Sequence, residues 1–269
     1  MSTAASRLLV RRWGLPADSL PVVDGFLKEW ADGHTLIDLK SDQIELLSSS
    51  AAVSDGSRQT PLVLRDGRLQ SWRLHVAEGR VARRLRRLVA MAPIQDAFDP
   101  KDLGTLFPDV ASAQRRVATV GQQRRFVLVT GGPGTGKTTV AARLLVLLAR
   151  RDTQVRMALA APTARAAVRL GEAFGGAVTG LGDKFEQATG KLMSAATTPR
   201  TVHRLLGWNP YSGRCRFHAD NPLPYDVIVI DEASMLDLML WDRLLQALAP
   251  ETQLVVLGDH RQLESVGAG

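Results

Sequence analysis

Nine consecutive residues, Gly131-Gly132-Pro133-Gly134-Thr135-Gly136-Lys137-Thr138-Thr139, carry the densest chemistry in this sequence. Gly131, Gly136, Lys137 and Thr138 fit the spacing G-x-x-x-x-G-K-[ST]. Glycines at that spacing let the backbone curl so that successive N–H groups point inward at a phosphate chain. A helix starting at the end of the loop adds partial positive charge. The lysine reaches the β- and γ-phosphates, and the hydroxyl of Thr138 is placed to bind Mg²⁺. A matching acid follows at Asp231-Glu232, which closes the apolar run Val227-Ile228-Val229-Ile230. Asp231 would hold Mg²⁺ through water, and Glu232 would orient and deprotonate an attacking water. An adjacent acidic pair ending a buried strand, downstream of a phosphate loop, points to nucleoside triphosphate hydrolysis rather than binding alone. Gly258-Asp259 and Gln262 follow a second apolar run, Leu254 to Leu257, and Gln262 is expected near the γ-phosphate, where it would report its loss.

These residues need a scaffold that brings distant segments to one edge, and the second part of the chain supplies one. From Gln114 onward short apolar runs alternate with helical segments, the pattern of a parallel α/β sheet. The runs RFVLVT, VRMALAA, YDVIVID and QLVVLGD are continuously apolar, as expected of strands covered on both faces. The expected fold is therefore α/β, a P-loop NTPase sheet with helices on both faces. A stretch rich in Gly, Ser, Thr, Asn and Pro, residues 175–221, interrupts the pattern and reads as an irregular insertion.

The first part reads as a small, mainly helical domain, residues 1–110. PVVDGFLKEWAD sets Val22, Val23, Phe26, Leu27 and Trp30 at helical spacing, and Asp66-Gly67 reads as the turn of a hairpin. A further helix carries Ala77, Val81, Leu85 and Leu88 on one stripe, with Arg80, Arg83, Arg84, Arg86 and Arg87 around it. Taken alone that cluster reads first as a solvated face, and second as a surface for DNA phosphates or an acidic protein. DAFDPKDLGTLFPDV, without a sustained period, reads as the linker to the second domain, residues 111–269.

Composition narrows the classes. With 45% hydrophobic residues among 269 the chain is of ordinary globular type, and with only 5% aromatic its packing must rest on Leu, Val and Ala. A net charge of +7 and a pI near 10.1 favour a polyanionic partner, nucleic acid first. The single cysteine, Cys215, excludes an internal disulfide. No run reaches the roughly 18 apolar residues of a membrane span, and no export signal is read at the N-terminus. The expectation is a soluble, cytoplasmic protein.

The motifs together resemble superfamily 1 helicases, and among these the RecD family, the alpha subunits of exodeoxyribonuclease V in the RecBCD complex. The resemblance is carried by AQRRVATVGQQRRFVLVTGGPGTGKTT, LAAPTARAAVRL, TVHRLLGWNP, DNPLPYDVIVIDEASMLD and LVVLGDHRQLESVGAG. It is weaker in the first third, at GHTLIDL, TPLVL and VAEGRVARRLRRL. It implies that the second domain is the first RecA-like lobe of a motor. It also implies that Gln114 reads adenine, making ATP the nucleotide and Mg²⁺ its metal. Pro162, Thr163 and Arg165, with Thr201, His203 and Arg204, would contact single-stranded DNA, giving affinity with little sequence reading. By itself His203 would read as a buried capping histidine. The sequence departs from the family pattern at Ala164-Arg165, where Gly-Lys is usual, at His260 and Arg261 in place of Arg-Asp, and at Gly267, where Glu is common.

The same resemblance implies RecB- and RecC-like partner subunits, DNA ends as substrate, 5′-to-3′ translocation and a partner-binding role for residues 1–110. The family's later motifs have no counterpart in these residues. The expectation is an ATP- and DNA-binding half motor that hydrolyses slowly without a second lobe. Stand-alone RecD-like or relaxase-linked helicases are the alternative, as is a non-motor docking subunit with a structural phosphate loop. No nuclease constellation is present in the sequence.

Overall fold

The computed structural model describes residues 3–132, 134–181, 185, 188, 190 and 199–259. They form two units: the described residues of Met1–Ala82 with Leu236–Asp242, and those of Arg83–Met235 with Arg243–Glu264.

In the first unit, helix α1 (Ala4–Trp13) is capped by Thr3, whose hydroxyl accepts from the Ser6 N–H, and it ends at Gly14 in the left-handed region. Helix α2 (Leu20–Ala31) buries Val22, Val23 and Phe26 as its spacing predicts, whereas Trp30 stays half exposed. After strand β1 (Ile37–Asp38) and helix α3 (Ser41–Ser48) come β2 (Val53–Ser54), β3 (Leu62–Arg65) and β4 (Arg68–Ser71). They make a four-stranded sheet in the order β1-β4-β3-β2. The β3–β4 hairpin turns at Asp66-Gly67 with φ of 52° and 75°, the two left-handed residues that a type I′ turn requires. Leu47, Leu62 and Leu69 sit with α2's apolar face in one core. The unit is thus built on a sheet as well as on helices. Helix α4 (Trp72–Ala90) follows, and within this unit its Arg80 forms a two-pronged ion pair with the buried Asp242.

The second unit is organised by a five-stranded, wholly parallel sheet of β5 (Phe126–Thr130), β6 (Met157–Ala161), β7 (Arg200–Thr201), β10 (Val227–Ile230) and β11 (Gln253–Gly258). The order is β5-β11-β10-β6-β7. One face (Val127, Val129, Leu159, Val227, Val229, Val255, Leu257) joins a core with Leu144, Leu145 and Leu148 of helix α7 (Lys137–Arg151) and Leu170 and Phe174 of α8 (Ala164–Thr179). The alternate residues Ala160, Ile228, Ile230, Leu254 and Val256 are buried too, which is why these strands read as unbroken apolar runs. On the outermost strand, β5, Leu128 remains exposed. Among the described residues no helix is long and apolar enough to cross a membrane.

Two expectations change. The segment read as a linker is packed: it contains helix α5 (Pro100–Leu106), buries Phe98, Leu106 and Phe107, and pairs Asp102 with Arg150 of α7. Its apolar residues are too few to show a period, yet Phe98, Leu106 and Phe107 join the core that α7 shares, while Val110 stays exposed. Nor is the 175–221 stretch irregular throughout. α8 runs on to Thr179, and β7, helix α9 (Val202–Leu205) and a hairpin of β8 (Trp208–Asn209) and β9 (Arg214–Cys215) lie in it. β7 is two residues long and pairs with Ala160 and Ala161, a long-range fit with no local signal.

Candidate functional site

β5 delivers the chain into the glycine loop, and α7 leaves it at Lys137. Gly134 and Gly136 hold φ of 72° and 81°, a region that L side chains enter at a cost, so the curl depends on glycine at these two positions. The Lys137 ammonium turns back on the loop, donating to the carbonyl oxygens of Gly131 (2.5 Å) and Gly132 (2.9 Å). Thr135 Oγ1 also donates to Gly132 O, at 2.9 Å. The decisive feature is at the start of α7, where the N-cap is Gly136 and no side chain caps the helix. The first N–H groups of a helix have no intrahelical partner and carry the positive end of its dipole. The loop therefore offers N–H donors and an ammonium but no side-chain acceptor at the helix end, which fits a phosphate chain.

Asp231 stands at the end of β10, with its N–H donating to Ala160 O and its Oδ1 accepting from the Glu232 N–H, both at 2.9 Å. Burial pushes its carboxyl above the usual range, against the Glu232 N–H and the Lys137 charge, which pull it down. Burial also raises Glu232, and the charges of Asp231 and Asp259 add to this, while Lys137 and Arg169 oppose them. Glu232 has φ of 51°, an uncommon left-handed conformation for a residue with a side chain, held by the turn in which Met235 N–H donates to its carbonyl. Lys137, Asp231, Glu232 and the buried Asp259 thus converge on one carboxyl edge, tied across by Gly131 N–H donating to Gly258 O. For Mg²⁺ the donor set is right: Thr138 and Asp231 would hold it with water and phosphate oxygens.

Gln114 reaches the same place from helix α6 (Ala113–Gln123): a methyl carbon on Gly136 would sit 3.4 Å from Gln114 Nε2. The two basic segments also end up side by side. Pro162 follows β6, Thr201 ends β7, and these strands are paired at Ala161↔Thr201. Thr163 and Thr201 are the N-caps of α8 and α9, their hydroxyls accepting from Ala166 N–H and Arg204 N–H, both at 3.2 Å. Arg165 and Arg204 are exposed, and His203, half-buried, meets Trp208 edge to face at 5.2 Å rather than being sealed in the core. Pro133 and Gln262 lie outside the described residues. Sequence reading passed over Arg169, one helical turn beyond Arg165 on α8, a spacing that could have flagged it. It also passed over Ser234, whose hydroxyl is buried without a partner three residues after Asp231.

With that geometry in hand, residues 114–268 match the model of a family described as "AAA domain". The chain belongs to this AAA-domain family. Among curated relatives, the RecBCD enzyme subunit RecD of Mycolicibacterium smegmatis is 47% identical over 174 residues, 62% of this chain and 30% of that protein. The RecD subunit of Buchnera aphidicola from Acyrthosiphon pisum is 29% identical, across 87% of this chain and 39% of that protein. The ATP-dependent RecD2 DNA helicase of Deinococcus radiodurans is 34% identical, across 86% of this chain and 28% of that protein. The similarity to RecD-type superfamily 1 helicases expected from the motifs is therefore present, and the two longer alignments extend before residue 83. The chain spans about a third of the length of these relatives.

Proposed function

We propose that this chain carries the ATP- and single-stranded-DNA-binding lobe of a 5′-to-3′ DNA helicase subunit of exodeoxyribonuclease V. It would act at DNA ends in double-strand break repair and recombination, with RecB- and RecC-like partners. One observation carries the reading. The uncapped α7 terminus, the Asp231-Glu232 pair and the two basic segments after β6 and β7 share one edge of a parallel sheet. ATP hydrolysis and DNA gripping would then occur on loops that one rigid sheet positions.

In this reading Lys137 leaves the Gly131 and Gly132 carbonyls for the β- and γ-phosphates, and the α7 N–H groups hold the same oxygens. Bound Mg²⁺, held by Thr138 and Asp231, would neutralise charge developing on the phosphates. Glu232 orients the attacking water and takes its proton. Gln114 faces adenine. Gln262 senses the γ-phosphate. Arg165 and Arg204 contact DNA phosphates, while Pro162 and the threonines shape the loops and His203 offers a ring edge.

The test is Mg-ATP binding and hydrolysis with and without single-stranded DNA. Binding weakened by Lys137→Ala, and DNA affinity whose salt slope falls by about 0.7 for each of Arg165→Ala and Arg204→Ala, would support it. Wild-type protein that binds neither ligand would sink it. A second reading, the stand-alone helicase, draws on the RecD2 alignment, which covers 86% of the chain as the Buchnera aphidicola RecD alignment covers 87%. Co-purification with RecB- and RecC-like subunits separates the two.

A further inference from the structure

Gln114 lies in the first turn of a helix that six non-helical residues separate from α5, so its position over the phosphate loop must be fixed by other contacts. Those contacts converge on the C-terminus of α5. Leu106 is that helix's last residue and Phe107 its C-cap, and helix-end carbonyls are open acceptors at the negative end of the dipole. Arg143, in the second turn of α7, donates from Nη1 to Leu106 O at 3.1 Å and lays its guanidinium over the Phe107 ring, 5.9 Å from the centroid. Arg115, the residue after Gln114, donates from Nη1 to Phe107 O at 2.6 Å. Two consecutive carbonyls are thus gripped, one from each helix. Ser112 Oγ then caps α6 by accepting from the Arg115 N–H at 3.1 Å.

The far end of α6 is fixed as well. Gly121 lets it lie directly on α7, where a methyl group would meet Leu144 Cδ2 at 2.7 Å. The buried Gln253 amide donates to Gly121 O and Arg124 O. Arg143 Nε is buried with no hydrogen-bond partner. An apolar side chain would avoid that desolvation, which argues that the guanidinium is there for its geometry.

We propose that Arg143, together with Arg115, is a positioning residue for base selection. It ties the segment that carries Gln114 to the same helix that begins with Lys137, so the base end and the phosphate end of the nucleotide site are set by one rigid body. This rests on the reading of Gln114 as the adenine-facing residue.

The experiment measures displacement of a fluorescent ATP analogue by Mg-ATP and by Mg-GTP, for wild type, Gln114→Ala, Arg143→Ala, Arg143→Lys and the double alanine variant. Wild type is expected to prefer ATP. Gln114→Ala and Arg143→Ala should each reduce that preference by up to about tenfold, the worth of one hydrogen bond. Arg143→Lys, which keeps the charge and a donor on a chain one bond shorter, should recover part of it, and the double variant should lose no more than either single one. A purely structural Arg143 would weaken both nucleotides equally and keep the ratio, overturning the proposal. Should Arg143→Ala fail to fold, Arg115→Ala tests the same grip from α6. An unchanged ratio in Gln114→Ala overturns the adenine reading itself, and a wild type that binds no nucleotide overturns the function on which both rest.

Discussion

Three helices begin at the carboxyl edge of the same sheet, and they begin differently. α8 and α9 start conventionally, with Thr163 and Thr201 accepting backbone N–H groups at 3.2 Å. α7 starts at a left-handed glycine with no side-chain cap. Capping satisfies a helix terminus internally and is worth about 1 kcal/mol, whereas leaving it open reserves its donors for an anion from outside. A motif threonine can therefore be a structural part of a binding loop, and at α7 it is the missing cap together with the left-handed glycines that fits a phosphate site. At the basic segments, the groups still directed outward are Arg165 and Arg204, together with the partly exposed His203.

The largest test of this contrast is Lys137→Ala, which should cut ATP hydrolysis by on the order of 10²–10³, measured as steady-state turnover. Hydrolysis at the wild-type rate would mean that the open terminus is not the phosphate site. Next comes Gly136→Ala. A left-handed alanine costs roughly 1–2 kcal/mol, while its methyl would only touch Gln114 Nε2, so ATP affinity should fall about tenfold by titration through the strained loop. Thr163→Ala and Thr201→Ala should each cost about 1 kcal/mol, read as a Tm lower by about 2–4 °C. Serine at either position should restore it. A loss of DNA affinity with no change in Tm would reverse the assignment of these hydroxyls.

A further stability test concerns charge. Asp231 has a folded-state pKa raised by burial. Such a group favours the folded state fully below its unfolded pKa of about 3.9, and the benefit disappears as pH rises through the folded value. At pH 7 the buried carboxylate is therefore a cost. Asp231→Asn keeps an acceptor for the Glu232 N–H and should raise Tm by about 2–4 °C for a gain of about 1 kcal/mol, while abolishing turnover. The gain should shrink as pH is lowered into the carboxylate range, and an acid-independent Tm difference would count against burial as its cause.

Much of this was legible in the residues themselves. The phosphate loop has its own spacing, four strands announce themselves as apolar runs, three of them because both faces are covered, and Asp66-Gly67 encodes a turn that two positive φ angles demand. Asp231-Glu232 stood out because it terminates such a run. A threonine ahead of a helical segment is likewise a cap signal, readable at Thr163 and Thr201 once the helix starts are known.

Local pattern could not decide what depends on partners far along the chain. The 96–110 segment has no period, and the hollow beside α7 orders it, with Arg115, Arg143 and Arg150. β7 exists because Ala160 and Ala161 offer it an edge. Gln114 stands against Gly136 because α6 is held at both ends by residues from α5, α7 and β11. Residues close together in the chain encode the phosphate-loop motif, the acidic pair and four of the five parallel strands, since each rests on backbone conformation and burial set within a few residues. Which side chains stand beside the loop, and which hydroxyls remain for a ligand, was decided by the tertiary structure, because a hydrogen bond is allotted only when its partner arrives.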